Sequence, residues 1–395
     1  MNVKPTYVML QIITILFIWI VLGVNSTFAD TWFVRATGDD NQDCQSKDTA
    51  CASLHEAVER ALHDGNGAGD TILVGAGSYV TPAAGPRKEG ILIGPDHGGT
   101  ASDPFMILAD TDGARTGDAG VVEVVGGNSG FSISASFVSL DGFTIRNTMQ
   151  EAGVLVSGTN EGIVLQNLDI SGSSGHGISL QQIQPPAPRR KDITILHTVI
   201  HHNSGQMGNT YGLQIRSTDH SFIKDVAIFD HQQVIAGINI ELASNNTFED
   251  LVVHSIEENA ILVETANHNK FVNLLIYNND KSRILFSQGK GNSIINATIY
   301  KNVKDGYKAS PINIANQTLI NSIIALNGEE GIDDRCLCTN HAFNILWMNT
   351  RDFDPSDTRG PEPTEIMMDP LFVNPNGPDG MLGAVHGADD DFRYQ

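Results

Sequence analysis

The chain has 395 residues, of which 18% are charged and 39 are glycine, and its formal net charge at neutral pH is −22. Sequence-independent binding of nucleic acid needs clustered Lys and Arg that release phosphate counterions, so this acidic balance argues against a nucleic-acid partner. The length would allow two or three ordinary domains, unless internal repeats join the chain into one.

The N-terminus carries an export pattern. Lys4 precedes an apolar run over residues 8–23, and the small-x-small sequence Thr27-Phe28-Ala29 follows it. This pattern predicts a signal peptide over residues 1–29. An uncleaved anchor helix is the alternative, although the run is shorter than the roughly 20 residues that span a bilayer. We therefore expect a secreted, periplasmic or cell-surface protein with no integral membrane span after cleavage.

Four cysteines follow the predicted signal peptide, at positions 44, 51, 336 and 338. The even count is consistent with an oxidising compartment. Cys44 and Cys51 are close enough in sequence to clip an N-terminal loop. Cys336 and Cys338 could pair with each other or reach elsewhere, and a metal site lacks a matching Cys/His group.

Residues 30–69 are predicted to form an N-terminal strand, a loop and a capping helix. Within residues 52–62, apolar side chains recur at helical spacing, at Leu54, Ala57, Val58, Ala61 and Leu62. A solenoid needs such a cap, because its first coil would otherwise expose an unpaired strand edge.

A repeat governs the middle of the chain. One slot, polar in all but one repeat, recurs every 23 to 30 residues, with an apolar residue two places before it and another three places after it. Its positions are Gly142, Asn167, His197, Asp225, Asp250, Asn273, Asn296 and Asn321. Self-similarity at this period, with apolar alternation of period two inside each unit, predicts stacked parallel strands. Residues 70–335 are thus expected to form the coils, and 336–395 irregular C-terminal coils and a cap. We interpret His197 as a replacement for the amide in a side-chain ladder rather than as a catalytic group.

A second strand is expected after each slot. Its residues start at positions 153, 177, 212, 237, 260, 283 and 311. Alternate residues point outward, which gives one exposed column through Leu155, Ser179, Gln214, Asn239, Leu262, Leu285 and Asn313. The next column contains Ser157, Gln181, Arg216, Glu241, Glu264, Ser287 and Ala315.

Both ends of the chain resemble a known superfamily. The segments WFVRATGDD (32–40), GDTILV (69–74) and GSY (77–79) resemble the entry of bacterial secreted right-handed β-helix proteins, which include polysaccharide lyases and uronan epimerases. MDPLFV (368–373) resembles the final coils of the choice-of-anchor Q group. The resemblance implies an all-β, right-handed parallel β-helix solenoid of pectin-lyase-like fold, with an N-terminal capping helix and a carbohydrate-related role.

The first candidate site follows from the predicted columns. Arg216, Glu241 and Glu264 would be neighbours about 4.8 Å apart, with Asn239 beside them. Two stacked carboxylates repel each other unless a cation or a shared proton relieves them, so Asn239, Glu241 and Glu264 are candidate calcium ligands. The set resembles the oxygen cluster of calcium-binding β-helix lyases but lacks their nearby lysine base. The alternative is a solvated ladder in which Arg216 pairs with Glu241.

A second candidate set lies four to six places past the slot and contains His201, His202, Asp230, His231, His254, Tyr277 and Tyr300. A uronan lyase or epimerase needs a base, a group that neutralises the substrate carboxylate, and a proton donor. We assign the base to His202, His231 or His254, the donor to Tyr211 or Tyr277, and the neutralising charge to Arg216. Two alternatives are a His/Tyr stack that packs at a turn and a transition-metal site at His202, Asp230 and His231.

The loop over residues 181–191 carries Arg189, Arg190 and Lys191 in an otherwise acidic protein. It could steer a polyanion toward a groove, or be a Pro-stiffened excursion without a ligand. Together with Gln214, Asn239 and Tyr277, Arg189 and Arg190 are candidate substrate-binding residues. The sequence thus predicts a monomer that binds an acidic polysaccharide, as a lyase or epimerase of a uronate polymer, with a non-catalytic glycan-binding or matrix protein as the alternative. A hydrolase of the polygalacturonase type ranks lower, because the exposed columns lack clustered aspartates.

Overall fold

The structure is a computed structural model that describes residues 29–63, 68–82, 84–85, 88–184, 186–205, 208–310, 313–383, 387 and 389–394. The predicted signal peptide lies almost wholly outside these residues. Within them, no helix combines the length and apolarity that crossing a membrane requires.

Two parallel sheets wind together into a solenoid. Sheet 1 contains β1 (Thr31–Val34), β2 (Thr71–Val74), β3 (Gly77–Thr81), β5 (Phe105–Ala109), β6 (Val122–Gly126), β8 (Val138–Asp141), β9 (Thr144–Arg146), β11 (Val164–Gln166), β12 (Asp169–Ser171), β15 (Thr194–His201), β18 (Phe222–His231), β20 (Thr247–Ile256), β22 (Lys270–Tyr277), β25 (Ser293–Tyr300), β28 (Gln317–Ile320), β29 (Ile323–Ala325), β31 (Thr339–Ala342) and β32 (Ile345–Trp347). Sheet 2 contains β4 (Ile91–Ile93), β7 (Ser129–Ile133), β10 (Ala152–Val156), β13 (His176–Leu180), β16 (Tyr211–Arg216), β19 (Ala236–Glu241), β21 (Asn259–Glu264), β23 (Ser282–Phe286), β26 (Tyr307–Ala309), β30 (Glu330–Asp334) and β33 (Arg351–Phe353).

Smaller elements complete the chain. The helix α1 (Leu54–His63) packs against β1, β2 and β4, with Leu54, Ala57, Val58 and Ala61 buried, as predicted for a cap. Short pairs join β14 (Arg190–Lys191) to β17 (Thr218–Asp219), β24 (Gly289–Lys290) to β27 (Ile314–Ala315), and β34 (Phe372–Asn374) to β35 (Asp391–Tyr394), the last pair antiparallel. A 3₁₀ turn covers Pro95–His97.

The recurrent slot marks a sharp corner between two arms of sheet 1. All eight slot residues have positive φ, from 47° at His197 to 86° at Gly142. Asn and Asp tolerate this left-handed conformation better than other side chains, which explains their recurrence. Their side chains bond from coil to coil, as in Asn273 to Asp250 at 2.9 Å and His197 to Asp225 at 2.6 Å. The prediction of a ladder that includes His197 is confirmed.

Buried asparagines line the inside of the corner that leads from sheet 1 to sheet 2. Asn279, Asn302 and Asn327 are almost fully buried, and each donates to the side-chain oxygen of the next ladder residue, the last to Asn349. The carboxamide also reaches a backbone carbonyl, so its donors are used in the core. Apolar side chains from both sheets fill the remaining interior.

The predicted disulfide between Cys44 and Cys51 is present, and Cys336 pairs with Cys338. One predicted strand is wrong. Sheet 2 takes its ninth strand from Tyr307–Ala309, whereas Ile314–Ala315 pairs outside that sheet. The apolar residues near position 312 have the alternation of a strand. The connection after β25 is shorter than predicted, however, so Tyr307–Ala309 pairs with β23 instead.

Arg190 is a buried structural residue that links three coils. The prediction that it binds substrate is therefore wrong. Its side chain is fully buried, and burial lowers its pKa to about 10. The guanidinium donates to neutral oxygens of three successive coils, namely the carbonyls of Val156, Gly158, Gln181 and Arg216 and the side chain of Asn160. Because no surface of the side chain is exposed, Arg190 cannot contact a polysaccharide.

We expect Arg190→Leu to lower the free energy of unfolding by about 3 kcal/mol or more, because each buried acceptor left without a donor costs about 1 to 3 kcal/mol. The measurement is the urea midpoint of the mature protein. Arg189→Leu is the matched control, since exposed Arg189 pairs with Asp219 at 3.1 Å and such pairs contribute under about 1 kcal/mol. Equal shifts in the urea midpoint for the two variants would contradict this structural role of Arg190.

Candidate functional site

The outward side of sheet 2 brings the first predicted set together. Strand pairing places Arg216 opposite Glu241 and Glu241 opposite Glu264 in three adjacent coils. The neighbouring column runs through Ser179, Gln214, Asn239, Leu262 and Leu285 in the predicted register. The prediction that these residues are neighbours is confirmed.

Two connections flank this face on the coil of β16. Residues 181–189 follow β13 on the side of Arg216, and residues 202–210 precede β16 on the side of Tyr211. Most other connections of the central coils are shorter. Outward-pointing Gln214 and Asn239 are buried on this face.

Arg216 and Glu241 form an ion pair across the face, with Nη2 and Oε2 2.7 Å apart. Glu264 differs from Glu241: burial and the charge of Glu241 raise its pKa, although Asn239 donates to Glu264 Oε2 at 3.1 Å. Asn239 Oδ1 and Arg216 Nε are buried, and neither has a hydrogen-bond partner among the described residues. The face thus carries one carboxylate paired with Arg216 beside a second carboxyl group whose pKa is raised.

Tyr211 and His176 lie at the other edge of the same face. Their rings stack with centroids 5.6 Å apart, and His176 Nδ1 accepts from the backbone N–H of Tyr211 at 3.1 Å. Burial lowers the pKa of His176 to about 4, so its ring is neutral at pH 7, with the proton on Nε2. Burial and then the charge of Glu264 raise the pKa of Tyr211, while Arg216 lowers it.

The sequence analysis did not predict a role for His176. The signal that could have found it is the glycine that opens the second strand in four successive coils: Gly177 and Gly212 are equivalent, so the residues before them, His176 and Tyr211, share a column. Tyr211 begins β16 and Arg216 ends it, so the predicted donor and the predicted neutralising group lie on one strand.

A second polar cluster lies farther along sheet 2 and was also missed. Because β26 is Tyr307–Ala309, the column after Leu285 continues through Lys308 and Asp333, not Asn313. Asp305, Glu330 and Asp333 are buried with oxygen atoms within 4.8 Å of one another. Lys308 lies 2.5 Å from Asp333, Arg335 lies 3.1 Å from Asp333, and Arg351 contacts Glu330. Each of the three carboxylates therefore has a cation beside it.

The structure contradicts the assignment of a base to His231 or His254. Asp230 has φ 53°, which turns the chain so that His231 enters the ladder position that Asn203 and Asn279 occupy in other coils. His231 is 1% exposed, and its Nε2 is 3.2 Å from the carbonyl of Ile200. His254 is equally buried, between the rings of Phe229 and Tyr277.

The predicted substrate-binding role of Tyr277 is also wrong. Its ring is 1% exposed and packs against Phe392 of the C-terminal segment, with centroids 5.0 Å apart. Burial, followed by the charge of Asp390, raises its pKa. His202 remains exposed, but it precedes β16 whereas Arg216 ends it, so one strand length separates them. A metal site at His202, Asp230 and His231 does not form, because His231 points inward.

A groove of about 530 Å³ opens beside this corner. Its lining includes the side chains of His202, Asp230, Gln233, Glu257 and Asp280, with His231 among them. These residues lie in the turns that lead into β16, β19, β21 and β23, which places the groove along the Tyr211 edge of sheet 2.

Comparison with known proteins agrees with the solenoid fold. The family model described as right handed beta helix region matches residues 129–269 and 211–346, which together exceed half of the chain. No curated protein sequence matches significantly.

Among solved structures, the chain is similar to a rhamnogalacturonan lyase, with TM-score 0.63, 12% identity and coverage of 92% of this chain and 96% of the other. It is also similar to pectate lyase Pel9A, with TM-score 0.56, 12% identity and coverage of 93% and 89%. At such identity the likeness extends to the fold alone. On the family match, the chain belongs to the right-handed β-helix family.

Proposed function

We propose that this protein is a carbohydrate-active β-helix enzyme that cleaves a uronate-containing polysaccharide by β-elimination on the outward face of sheet 2. One observation carries the proposal: Arg216, Glu241 and Glu264 form one outward column of three adjacent coils, and Tyr211 packs in one apolar cluster with Leu262 of the same face. The two similar structures are named as polysaccharide lyases, which supports the same class of substrate.

Arg216 is the group that binds and neutralises the uronate carboxylate. Its guanidinium is partly exposed, Nη2 contacts Glu241, and Nε has no hydrogen-bond partner within the part of the chain that the structure describes. A guanidinium binds carboxylates through two parallel N–H groups, so it can hold Glu241 and a substrate carboxylate together. Neutralising that carboxylate makes the hydrogen on the adjacent ring carbon more acidic, which is the first requirement of the elimination.

Glu264 is the proposed base, in place of the histidines. A carboxylate whose pKa is raised is a stronger base at neutral pH than an ordinary one. It removes the proton beside the substrate carboxylate, and the bond to the glycosidic oxygen breaks as the ring double bond forms. Tyr211 keeps its proton at neutral pH and donates it to that leaving oxygen. His176 donates a hydrogen bond from Nε2 to the bound sugar.

Glycoside hydrolysis is a second candidate, favoured by one observation. Arg216 pairs with Glu241, while burial and the charge of Glu241 raise the pKa of the neighbouring Glu264, and a retaining hydrolase likewise uses two neighbouring carboxyl groups in different environments. The third candidate is non-catalytic glycan binding on the same face.

One assay separates these candidates. We expect mature protein incubated with pectate, alginate and glycosaminoglycans to release products with the ultraviolet absorbance of an unsaturated uronate from at least one polymer. New reducing ends without absorbance would favour hydrolysis instead. Retained binding with no product of either kind would reject both enzymes and leave the binder.

The active-site assignment predicts the behaviour of conservative variants. Glu264→Gln, Arg216→Ala and Tyr211→Phe should each lower kcat/KM by about 100-fold or more, the usual range for a lost acid–base group. The matched control is His197→Asn, an exposed corner residue on sheet 1, which should retain wild-type activity. The base must be unprotonated, so activity should rise with pH through a pKa above the ordinary range of Glu, and that limb should be absent from residual Glu264→Gln activity. An unchanged limb would reject Glu264 as the base.

Calcium is a further proposal for Asn239, Glu241 and Glu264. The three side chains offer adjacent oxygens. Asn239 Oδ1, which has no hydrogen-bond partner among the described residues, fits such a ligand once the amide turns toward Glu264. When bound, the ion would supply positive charge that relieves the repulsion between the two carboxylates. Glu264 would then be a ligand and could not accept a proton.

This conflict gives a specific expectation. Millimolar calcium should raise the melting temperature of the wild type at pH 8 and lower its activity, whereas Glu264→Gln should lose the rise in melting temperature. Differential scanning calorimetry with calcium or with EDTA makes the comparison. A wild-type melting temperature that is the same in both would reject the site.

Export is proposed on the sequence pattern of residues 1–29, with a secreted, periplasmic or cell-surface location and membership of the choice-of-anchor Q group. The two disulfides are consistent with an oxidising compartment.

A further inference from the structure

The two disulfides of the chain lie in different surroundings. Cys44 and Cys51 are fully buried and stand seven positions apart in the sequence. Cys336 and Cys338 are only partly buried and stand two positions apart. A disulfide stabilises a protein mainly by constraining the unfolded chain, and this gain falls as the closed loop becomes shorter. The second disulfide is therefore the more accessible of the two and the one that adds less stability.

The turn that carries Cys336 and Cys338 is also held by hydrogen bonds that do not involve the sulfur atoms. The backbone N–H of Thr339 donates to Asp334 Oδ2 at 2.9 Å. The backbone carbonyl of Cys338 accepts from the N–H of Gln317 in the preceding coil, also at 2.9 Å. These bonds keep the two cysteines adjacent when the S–S bond is open, so the disulfide can form again without a search by the chain.

A buried carboxyl group faces both sulfur atoms. Asp334 is fully buried, and its Oδ1 lies 3.1 Å from Cys336 Sγ and 3.4 Å from Cys338 Sγ. Arg359 Nη2 donates to the other oxygen, Oδ2, at 2.6 Å and so fixes the orientation of the group. The sulfur atoms of a disulfide have no hydrogen to donate to Oδ1, whereas each of two thiol groups has one. Asp334 therefore stabilises the dithiol form relative to the disulfide form.

A pocket gives access to one of the two sulfur atoms. Its volume is about 450 Å³, which lies within the range of small-molecule sites. Its described lining includes Cys338 but not Cys336, together with Asn316 of the preceding coil and Arg359. Exchange begins when a thiolate reaches one sulfur atom of a disulfide. A small thiol that enters this pocket would therefore meet Cys338 first.

We propose that Cys336 and Cys338 form a thiol–disulfide exchange site that accepts two electrons from small-molecule thiols. A thiolate attacks Cys338 Sγ, the S–S bond breaks, and Cys336 leaves as a thiolate that takes a proton from solvent and then donates a hydrogen bond to Asp334. A second thiolate attacks the outer sulfur of the mixed disulfide and releases Cys338, which also takes a proton from solvent. Two thiols and one protein disulfide thus give one external disulfide and two cysteine thiols. This chemistry is independent of the function proposed for sheet 2.

The first test compares the two disulfides of the native mature chain. The protein is incubated with millimolar reduced glutathione at pH 8, free thiols are blocked with iodoacetamide, and the blocked residues are identified by mass spectrometry. We expect Cys336 and Cys338 to be modified about 100-fold faster than Cys44 and Cys51, because the buried pair becomes accessible only through local unfolding. The melting temperature should change little. Equal protection of both disulfides, or modification that appears only as the chain unfolds, would overturn the proposal.

Two single variants test which sulfur atom is attacked. Cys336→Ser leaves the free thiol of Cys338 at the pocket, and Cys338→Ser leaves the free thiol of Cys336 away from it. The probe is dithiodipyridine, whose reaction with a thiol releases a product that absorbs in the ultraviolet. We expect the reaction to be about tenfold faster for Cys336→Ser. Equal rates, or a faster reaction of Cys338→Ser, would overturn the route through the pocket.

Asp334→Asn tests the buried carboxyl group as a positioning residue. The variant keeps the shape of the side chain, but a neutral amide oxygen accepts a hydrogen bond less strongly than a carboxylate does. The equilibrium constant for reduction, measured in mixtures of reduced and oxidised glutathione, should fall about tenfold. Asp357→Asn is the matched control, because Asp357 also pairs with Arg359, at 2.8 Å, but is not the carboxylate that faces the sulfur atoms. An unchanged constant for Asp334→Asn, or an equal change in both variants, would overturn the role of Asp334.

Discussion

Positive φ at the corner residues is the constraint on which this molecule depends. Each coil turns at a left-handed residue in the slot, and again at the residue that ends the sheet 1 arm, such as Asp230, Ser255 and Asn278. Because these corners bend successive coils alike, strands of adjacent coils superpose in parallel register. The outer ladder of Asn and Asp and the inner ladder of buried asparagines then link each coil to the next. Residues about 25 positions apart become lateral neighbours, and the site proposed on sheet 2 is a set of such neighbours.

The strand register also determines which charged side chains are neighbours on the outward face of sheet 2. Arg216, Glu241 and Glu264 occupy equal positions in three coils, so one cation lies at the end of a row with two carboxylates. Glu241 is paired with Arg216, whereas burial and the charge of Glu241 raise the pKa of Glu264, one coil farther. Farther along the face, alternating cations and buried carboxylates around Lys308 and Asp333 balance each other. One sheet therefore carries a charge-balanced cluster and an unbalanced one, and only the unbalanced one is suited to proton transfer.

Sequence reasoning could predict the neighbours on this face, because the corner residues and apolar stripes fix the register wherever connections are short. It placed Arg216, Glu241, Glu264 and Asn239 together for that reason. The strand prediction failed near residue 307. The apolar alternation at Ile312 and Ile314 is typical of a strand, and alternation alone does not predict the length of the preceding turn. Sequence reasoning also failed for His231, since the left-handed turn at Asp230 sends the next side chain inward. His254 and Tyr277 are covered by a segment about a hundred residues later, as in the contact of Asn278 with Leu382, and periodicity carries no information on such docking.

The coil-by-coil construction of the face also bears on how such proteins diversify. The strands of sheet 2 pair with strands of adjacent coils, so the unit that can be inserted or deleted is one whole coil. Duplication of a coil between β21 and β23 would lengthen the face by about 4.8 Å, close to the length of one sugar ring, without moving Arg216 relative to Glu264. Gain or loss of single repeats would then adjust the length of glycan accommodated while the reacting groups stay in place.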